Sequence, residues 1–393
     1  MAADIKKIVD DNYEFLVNTR RHFHMYPELS SCEYETAAYI KKALDEWNIP
    51  YETTGVSDIV ATIQGNGEGK TIALRGDIDA LPIQEETGVE WASKKPGIMH
   101  ACGHDCHATY MLGCAKILNE IRSEFNGTVK IIFQEGEEIG AGARKLMETN
   151  LLDDVERIIG LHVSNSLDLG KFSIGYGVMS SYGAGARIVI ESKGGSLDKP
   201  EITGNSILAA TEIVSGITSQ SAHLFPGEEQ VVLVPTVIVT QQDKDGIPNR
   251  VILSYNFRTF GISNVEILKN IVDTVASNTA KTFGATATVE HWGPGEAVNN
   301  EKESTDLAAY IIEKYFGKDA IIYSKPSMGG EDFSLYQKKI PGTFVHIGGA
   351  VNGVYHAEHT DKTLVDDGVL ALGVEFFIRY VIAYFRGEAE TFE

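Results

Sequence analysis

The chain has 393 residues, which at roughly 100–200 residues per domain predicts two or three domains and excludes a lone small module. Hydrophobic residues at 43% and charged residues at 23% match ordinary soluble usage and exclude wholesale disorder. A formal net charge of −21 repels phosphate backbones and anionic lipid surfaces, so neither nucleic acid nor membrane is expected as a partner.

The N-terminal residues MAADIKKIVDDNYEF lack the apolar stretch and cleavage site of a secretory signal, and no run approaches about 18 consecutive apolar residues. The expected compartment is the cytoplasm. Cys32, Cys102, Cys106 and Cys114 are too few and too clustered for a disulfide framework, which points them to thiol or metal roles.

In chain order, Ile5, Ile8, Val9, Phe15, Leu16 and Phe23 recur at helical spacing and predict one amphipathic helix over 5–24, closed by Pro27. Strand patterns at 58–63, 71–76, 128–133 and 157–163 then alternate with helical patterns at 33–47, 105–122 and 141–149. This alternation predicts an α/β fold with a mostly parallel sheet. Between about 184 and 296 the order changes to strand (186–193), helix (205–219), strand (231–241), strand (251–260), helix (264–282) and strand (285–292). That β-α-β-β-α-β unit is a complete split-βαβ layer. Elements resume at 304–316, 320–324, 331–337, 343–348 and 366–386, so the unit is an insertion and the main domain is discontinuous. The expected division is 1–183 with 297–393 for the main domain and 184–296 for the inserted one, joined by the glycine-bearing junctions SSYGAG and WGPGEA.

The densest polar constellation is MHACGHDCH, which puts His100, Cys102, His104, Asp105, Cys106 and His107 within nine residues and implies zinc or a similar ion. A structural zinc knot would require a closed set of four nitrogen or sulfur ligands, and no matching distant Cys-x-x-Cys exists. Further ligands are on offer near strand ends: Glu137 and Glu138 in QEGEE, His162 in GLHV and His359 in YHAEHTDK. Of two adjacent glutamates on an irregular loop, one can ligate while the other stays free to move protons. Taken singly, a glutamate pair reads as a solvated loop and a lone histidine as a core residue; their coincidence favours a site. LRGDIDALP adds Asp77 and Asp79. Asp79 is the candidate for orienting a metal-bound histidine, with a helix cap or loop acid as the alternative for both.

These residues fall in ordered motifs: RRHFHMYPELS (20–30), LRGDIDALP (74–82), MHACGHDCH (99–107), FQEGEE (133–138), GLHV (160–163), MGGEDF (328–333) and HTDKTLVDD (359–367). Together they resemble the metal-dependent aminoacylase and hippurate hydrolase group of metallopeptidases, which includes the indole-acetyl-amino-acid hydrolases, over nearly the whole chain. The resemblance implies a zinc-exopeptidase-like catalytic domain holding two divalent ions (Zn, Mn or Co) and an inserted ferredoxin-like α+β domain serving as lid and dimerisation surface. It implies Cys102, His104, Glu138, His162 and His359 as metal ligands, Glu137 as general base and acid, and Asp79 as the ligand-orienting carboxylate. His356 is an alternative to His359, which the spacing to Asp366 and Asp367 favours.

The inserted domain departs from the family pattern. Where relatives carry a histidine after a glycine pair, Gly194-Gly195 is followed by Ser196; the usual Pro-His is Pro200-Glu201, and the asparagine before Ile-Pro is Asp245. Two acids thus enter the substrate-facing region and should disfavour anionic acyl tails. Arg258 is retained and is expected to pair with a substrate carboxylate, since a guanidinium fork matches two oxygens; a structural salt bridge is the alternative. His223 is a candidate substitute for the missing histidine. The expected function is hydrolysis of the amide bond in a small N-acyl amino acid or dipeptide by a homodimer or higher homo-oligomer. A dipeptidase or aminopeptidase is the near alternative, and a metal-containing small-ligand-binding protein impaired in turnover by Ser196 is the distant one.

Overall fold

The computed structural model describes residues 4–195, 198, 204–225, 230–241 and 246–388. Ser196, Glu201 and Asp245, three positions that matter to the substrate reading, lie outside the described residues. The chain divides into two compact units. The first takes residues up to Gly177, then Val298–Lys325, then everything from Glu331; the second takes Val178–Ala297 with Pro326–Gly330.

The first unit opens with α1 (Ile5–Asp11) and α2 (Tyr13–Met25), so the single helix expected from periodicity is two. The break has a local cause: the Asn12 side-chain amide donates to the Ile8 carbonyl at 2.9 Å, and the Asn12 N–H turns to Val9 O at 3.0 Å. A short polar side chain thereby competes with the helical ladder. After α3 (Tyr34–Glu46) come β1 (Tyr51–Thr54), β2 (Asp58–Gln64), β3 (Thr71–Asp77), α4 (His104–Glu120), β4 (Thr128–Gln134), α5 (Gly142–Met147), β5 (Arg157–Asp168) and β6 (Phe172–Ile174). The strands Ile321–Tyr323 and Gly342–Ala350 complete the sheet, which among the described residues has eight strands. Across it the order is β1, β2, β4, β3, β5, Gly342–Ala350, β6 and Ile321–Tyr323.

The centre of the sheet is parallel: β3 pairs in parallel with β4 and β5, and β5 in parallel with Gly342–Ala350. The flank is antiparallel where β2 meets β1 and β4. All seven residues of β3 are buried, as expected of a strand covered on both faces. The helix Gly368–Phe385 is long and apolar enough to cross a membrane, yet Val369, Val374, Phe376, Phe377 and Val381 are buried and it packs on α4. It is a core helix.

The second unit has four antiparallel strands in the order Thr286–Trp292, Tyr182–Glu191, Arg250–Thr259 and Val231–Gln241. With the helices Ser206–Leu224 and Ile262–Thr282 this is the ferredoxin-like arrangement. Period-2 alternation sets its core, with Ala186, Ile188 and Ile190 meeting Val251, Leu253, Tyr255 and Phe257 beneath Ile213, Leu268 and Val272. Val231–Gln241 is one of the two edge strands, and Val234, Val237, Ile238 and Val239 on it are exposed.

One buried acid at the start of β2 makes stability depend on pH. Asp58 is fully buried; its Oδ1 accepts the Glu135 N–H at 2.8 Å, and burial pushes its carboxyl up to about 7 from an ordinary 3.8. The folded protein therefore holds this proton more tightly than the unfolded chain. Unfolding releases it between about pH 4 and pH 7, and stability contributed by this group falls as pH rises through that window. Asp58→Asn keeps the acceptor oxygen and removes the charge. Chemical denaturation should find it more stable than the parent above pH 7, by on the order of a few kcal/mol, with the two converging below pH 4.

Candidate metal centre

The site is built at one end of the parallel strands of the first unit. Asp77 ends β3, Gln134 ends β4, His162 lies within β5, and α4 begins at His104. Gly103, immediately before α4, has φ +82°, and a Cβ there would lie 2.2 Å from Val163 Cγ1, so only glycine lets the helix start against β5.

Cys102 Sγ stands 3.5 Å from His162 Nε2 and 3.3 Å from His359 Nε2. Glu138 Oε1 is 3.6 Å from His359 Nε2 and 3.9 Å from His104 Nε2. Three sets of mutually close ligand atoms result: Cys102, His104 and His162; Cys102, Glu138 and His359; and His104, Glu137 and Glu138. Thus all five expected ligands converge, with Cys102 shared between two sets. His356 joins none of these sets.

The second ring nitrogens decide what the site can bind. His104 Nδ1 lies 3.0 Å from both the Asp79 carboxylate and the Asp79 carbonyl, and His162 Nδ1 lies 2.6 Å from Val163 O. Since a carbonyl oxygen only accepts, each Nδ1 must carry the proton, and each Nε2 turns a lone pair toward Cys102 and its neighbours. His104 Nε2 and Glu138 Oε1 are buried and have no hydrogen-bond partner among the described residues, the Asp77 carboxylate lying 3.6 Å from that Nε2. Buried polar atoms are normally satisfied. Two electron-pair donors facing each other 3.9 Å apart fit a cation about 2 Å from each. The donor set of thiol, imidazoles and carboxylates suits zinc and similar divalent ions.

His107 behaves otherwise. It also approaches Asp77, with Nδ1 at 2.5 Å from Oδ1, but its Nε2 accepts the Val163 N–H at 2.9 Å. Both nitrogens are spent, so His107 braces β5 and has no lone pair left for an ion.

Glu137 sits beside this group, its carboxylate close to the ligand atoms of His104 and Glu138, and its Oε1 accepts the Asp332 N–H at 3.4 Å. Burial, with Glu331 and Asp332 close by, holds its carboxyl well above the usual carboxylate range. Those two acids are themselves restrained by Arg75, a fully buried guanidinium that reaches Asp77 at 2.6 Å, Asp332 at 2.7 Å and Glu331 at 3.2 Å and donates to Gln134 at 2.8 Å. Asp77, expected only as an alternative to Asp79, is thus held between Arg75 and His107, and burial opposed by Arg75 leaves its carboxyl well below the usual range. Arg75 and the Glu331–Asp332 pair are given no role by the sequence reading, although LRGDIDALP and MGGEDF contain all three, and His107 is read there only as one member of the MHACGHDCH cluster.

In the second unit, Arg258 is half-buried on the strand Arg250–Thr259 and makes no ion pair among the described residues. Its Nη1 lies over two glycines: a Cβ would come to 2.8 Å at Gly183 and 3.1 Å at Gly330. His223 is in the last turn of the helix Ser206–Leu224 and is exposed.

The sequence model of peptidase family M20/M25/M40 matches residues 73–383. The chain belongs to this family. It is 36% identical over 372 residues to the N-acetylcysteine deacetylase of Bacillus subtilis (strain 168), covering 93% of this chain and 96% of that protein. It is 35% identical over 348 residues to IAA-amino acid hydrolase ILR1-like 5 of Arabidopsis thaliana, covering 86% and 79%. Among solved structures, the YXEP protein of Bacillus subtilis, described as a dinuclear metal binding peptidase from the M20 family, superposes with a TM-score of 0.83 at 32% identity, covering 96% of this chain and 99% of that one. The family and the fold class expected from the motifs are both borne out.

Replacing Arg75 tests how the M20 centre is held. Arg75→Met leaves Asp77 and Asp332 buried without their cation and should destabilise the protein by about 3–5 kcal/mol, read as a lowered urea midpoint at pH 7.

Proposed function

We propose that this protein is a metal-dependent amidohydrolase that uses two divalent ions to cleave the amide bond of small N-acyl amino acids, releasing the free amino acid. The observation that carries this reading is the pair of imidazoles locked with their Nε2 lone pairs toward Cys102, Glu138 and His359, beside a glutamate left outside that set. Cys102, His104, Glu138, His162 and His359 hold the ions. Bound there, divalent cations polarise an amide carbonyl and bring the pKa of a water into the neutral range.

Glu137 takes the proton of the attacking water on its carboxylate and passes it to the departing amine nitrogen. Such work needs a carboxylate that is near the ions but not committed to them, with a raised affinity for a proton; both hold for Glu137. Asp79 keeps the His104 Nδ1–H occupied, so that Nε2 stays a donor of electrons. Arg258 pairs with the substrate carboxylate; support comes from its having no ion pair among the described residues and from the glycines that leave its fork open. Ser196 and Asp245 stand in the sequence where the family pattern has a substrate-facing histidine and an asparagine, and the acids at Glu201 and Asp245 turn the preference toward neutral acyl groups. A dipeptide is the second substrate class, since a YXEP-like chain is described as a peptidase. A binding protein without turnover would have no use for Glu137.

Pairing through the second unit gives a homodimer. The edge strand Val231–Gln241 supports this, because exposed apolar side chains on an unpaired sheet edge are a template for a second copy. The cytoplasm is the compartment that suits four free cysteines, one of them placed to ligate as a thiolate.

The deciding experiment loads purified protein with zinc, manganese or cobalt and follows amine release from a panel of N-acyl amino acids and dipeptides, with a chelator control. Activity on neutral acyl amino acids that is lost on chelation and restored by metal is expected; inactivity across the whole panel overturns the reading. Glu137→Gln should retain both metals by elemental analysis while kcat falls about 10²- to 10⁴-fold. Arg258→Ala should raise KM at least about tenfold for substrates with a free carboxylate and leave their amides unaffected, as expected for loss of a charged pair worth about 1.5–3 kcal/mol.

A further inference from the structure

Glu28 lies near the end of the RRHFHMYPELS motif (20–30), which the metal centre does not use directly, and Glu33 lies three residues beyond the motif. Glu33 is the N-cap residue of α3, and an N-cap side chain ordinarily accepts the N–H of the second or third helical residue. Here Glu28 does that work, its carboxylate accepting from Glu35 N at 3.2 Å and from Thr36 N at 2.9 Å. Relieved of capping, the Glu33 carboxylate turns away from its own helix and is fully buried.

One of its three partners, Gly136, lies on the loop that carries Glu137. Glu33 Oε1 accepts the Gly136 N–H at 2.8 Å and the Ser31 N–H at 2.9 Å, and Oε2 accepts the Ser57 hydroxyl at 2.7 Å. Gly136 has φ +57°, the left-handed turn that swings the chain from β4 into Glu137 and Glu138. Either side of it, Glu135 N donates to Asp58 at 2.8 Å and Glu138 N to Asp79 at 3.0 Å. Three consecutive anchor points on this loop are therefore buried carboxylates from distant segments, and the one at the turn itself is Glu33.

We propose that Glu33 is a positioning residue for the reaction: by holding the Gly136 N–H it sets where the Glu137 carboxylate stands relative to the water it deprotonates. The proposal rests on the proton-transfer role given above to Glu137. A carboxylate misplaced by about 1 Å costs on the order of 10²-fold in rate with little change in substrate binding. Glu33→Gln keeps a carbonyl acceptor for both N–H groups; Glu33→Leu removes it at similar volume.

The test compares parent, Glu33→Gln, Glu33→Leu and Ser57→Ala, each with its metals restored, by steady-state kinetics and by amide hydrogen exchange of the peptide spanning 134–141. Glu33→Leu should lose about 10- to 100-fold in kcat with KM within about threefold and unchanged metal content, and Glu33→Gln should stay within about threefold of the parent. Exchange in 134–141 should accelerate in Glu33→Leu, accelerate less in Ser57→Ala and match the parent in Glu33→Gln. A folded Glu33→Leu with parental kcat and parental exchange overturns the proposal. So does a loss that Glu33→Gln shares, or one that follows metal content. If Glu33→Leu does not fold, Ser57→Ala decides: a kcat lowered about two- to tenfold with faster exchange supports the proposal, and parental values overturn it. A Glu137→Gln enzyme with full turnover would remove the role of Glu137 instead, while the exchange arm would still report whether Glu33 fixes the loop.

Discussion

Arg75 carries the burden of keeping an acidic interior folded. Asp77, Glu331 and Asp332 all lie within 3.2 Å of its guanidinium, on two separate stretches of chain, and none of the three is exposed enough for water to do the same work. Removing charges from water costs several kcal/mol per ion unless a counter-charge and hydrogen bonds replace the hydration. A guanidinium meets that demand with several donors in one plane. Gln134 takes one of them, which ties β3 to β4 at the end where both strands deliver their functional residues. The Glu331–Asp332 pair that Arg75 restrains is the same pair whose proximity raises the proton affinity of Glu137. Structural neutralisation and proton chemistry thus share one cation.

A second arrangement of the same kind anchors α4. Arg20 on α2 reaches Asp105 at 2.8 Å and Asp367 at 2.9 Å, and His24 reaches Asp105 at 2.8 Å. Asp105 follows His104 directly, and Asp367 follows the segment that holds His359, so α2 clamps two pieces of chain that carry candidate ligands and are distant in sequence. Helix packing alone would leave their separation soft to sliding; buried, directional ion pairs do not.

What could be read in advance follows from the range of the forces. Strand and helix identities depend on local periodicity, so β2 through β5, α3, α4 and the ferredoxin-like unit are legible in the chain. The five converging metal-binding candidates are legible because thiol, imidazole and carboxylate side chains cluster in short motifs whose chemistry has few other uses. Asn12 is not legible: the periodicity continues straight through a break made by one side-chain hydrogen bond. Arg75 is hidden for a different reason, since it reads as one polar residue in a buried strand and its partner Asp332 is 257 positions away. The separation of roles between His104 and His107 also escapes sequence. Both are histidines in one motif, and only a Val163 N–H pointing at His107 Nε2 tells them apart.

The tautomers leave Nε2 of His104 and of His162 as the ring atoms that face Glu138 and Cys102. With Nδ1 of His104 and His162 each committed to an oxygen, protonation of either ring at Nε2 would put a positive charge where the structure offers Glu138 and Cys102 as neighbours. A divalent ion satisfies those neighbours together; a proton satisfies one at a time. The buried unpartnered Nε2 of His104 and Oε1 of Glu138 are therefore a cost borne by the protein chain so that the ion has somewhere to sit. That cost is tolerable only because Asp79 and the Val163 carbonyl fix the rings before the ion arrives, which makes the loop and strand geometry around β3 and β5 as much a part of the chemistry as the ligands.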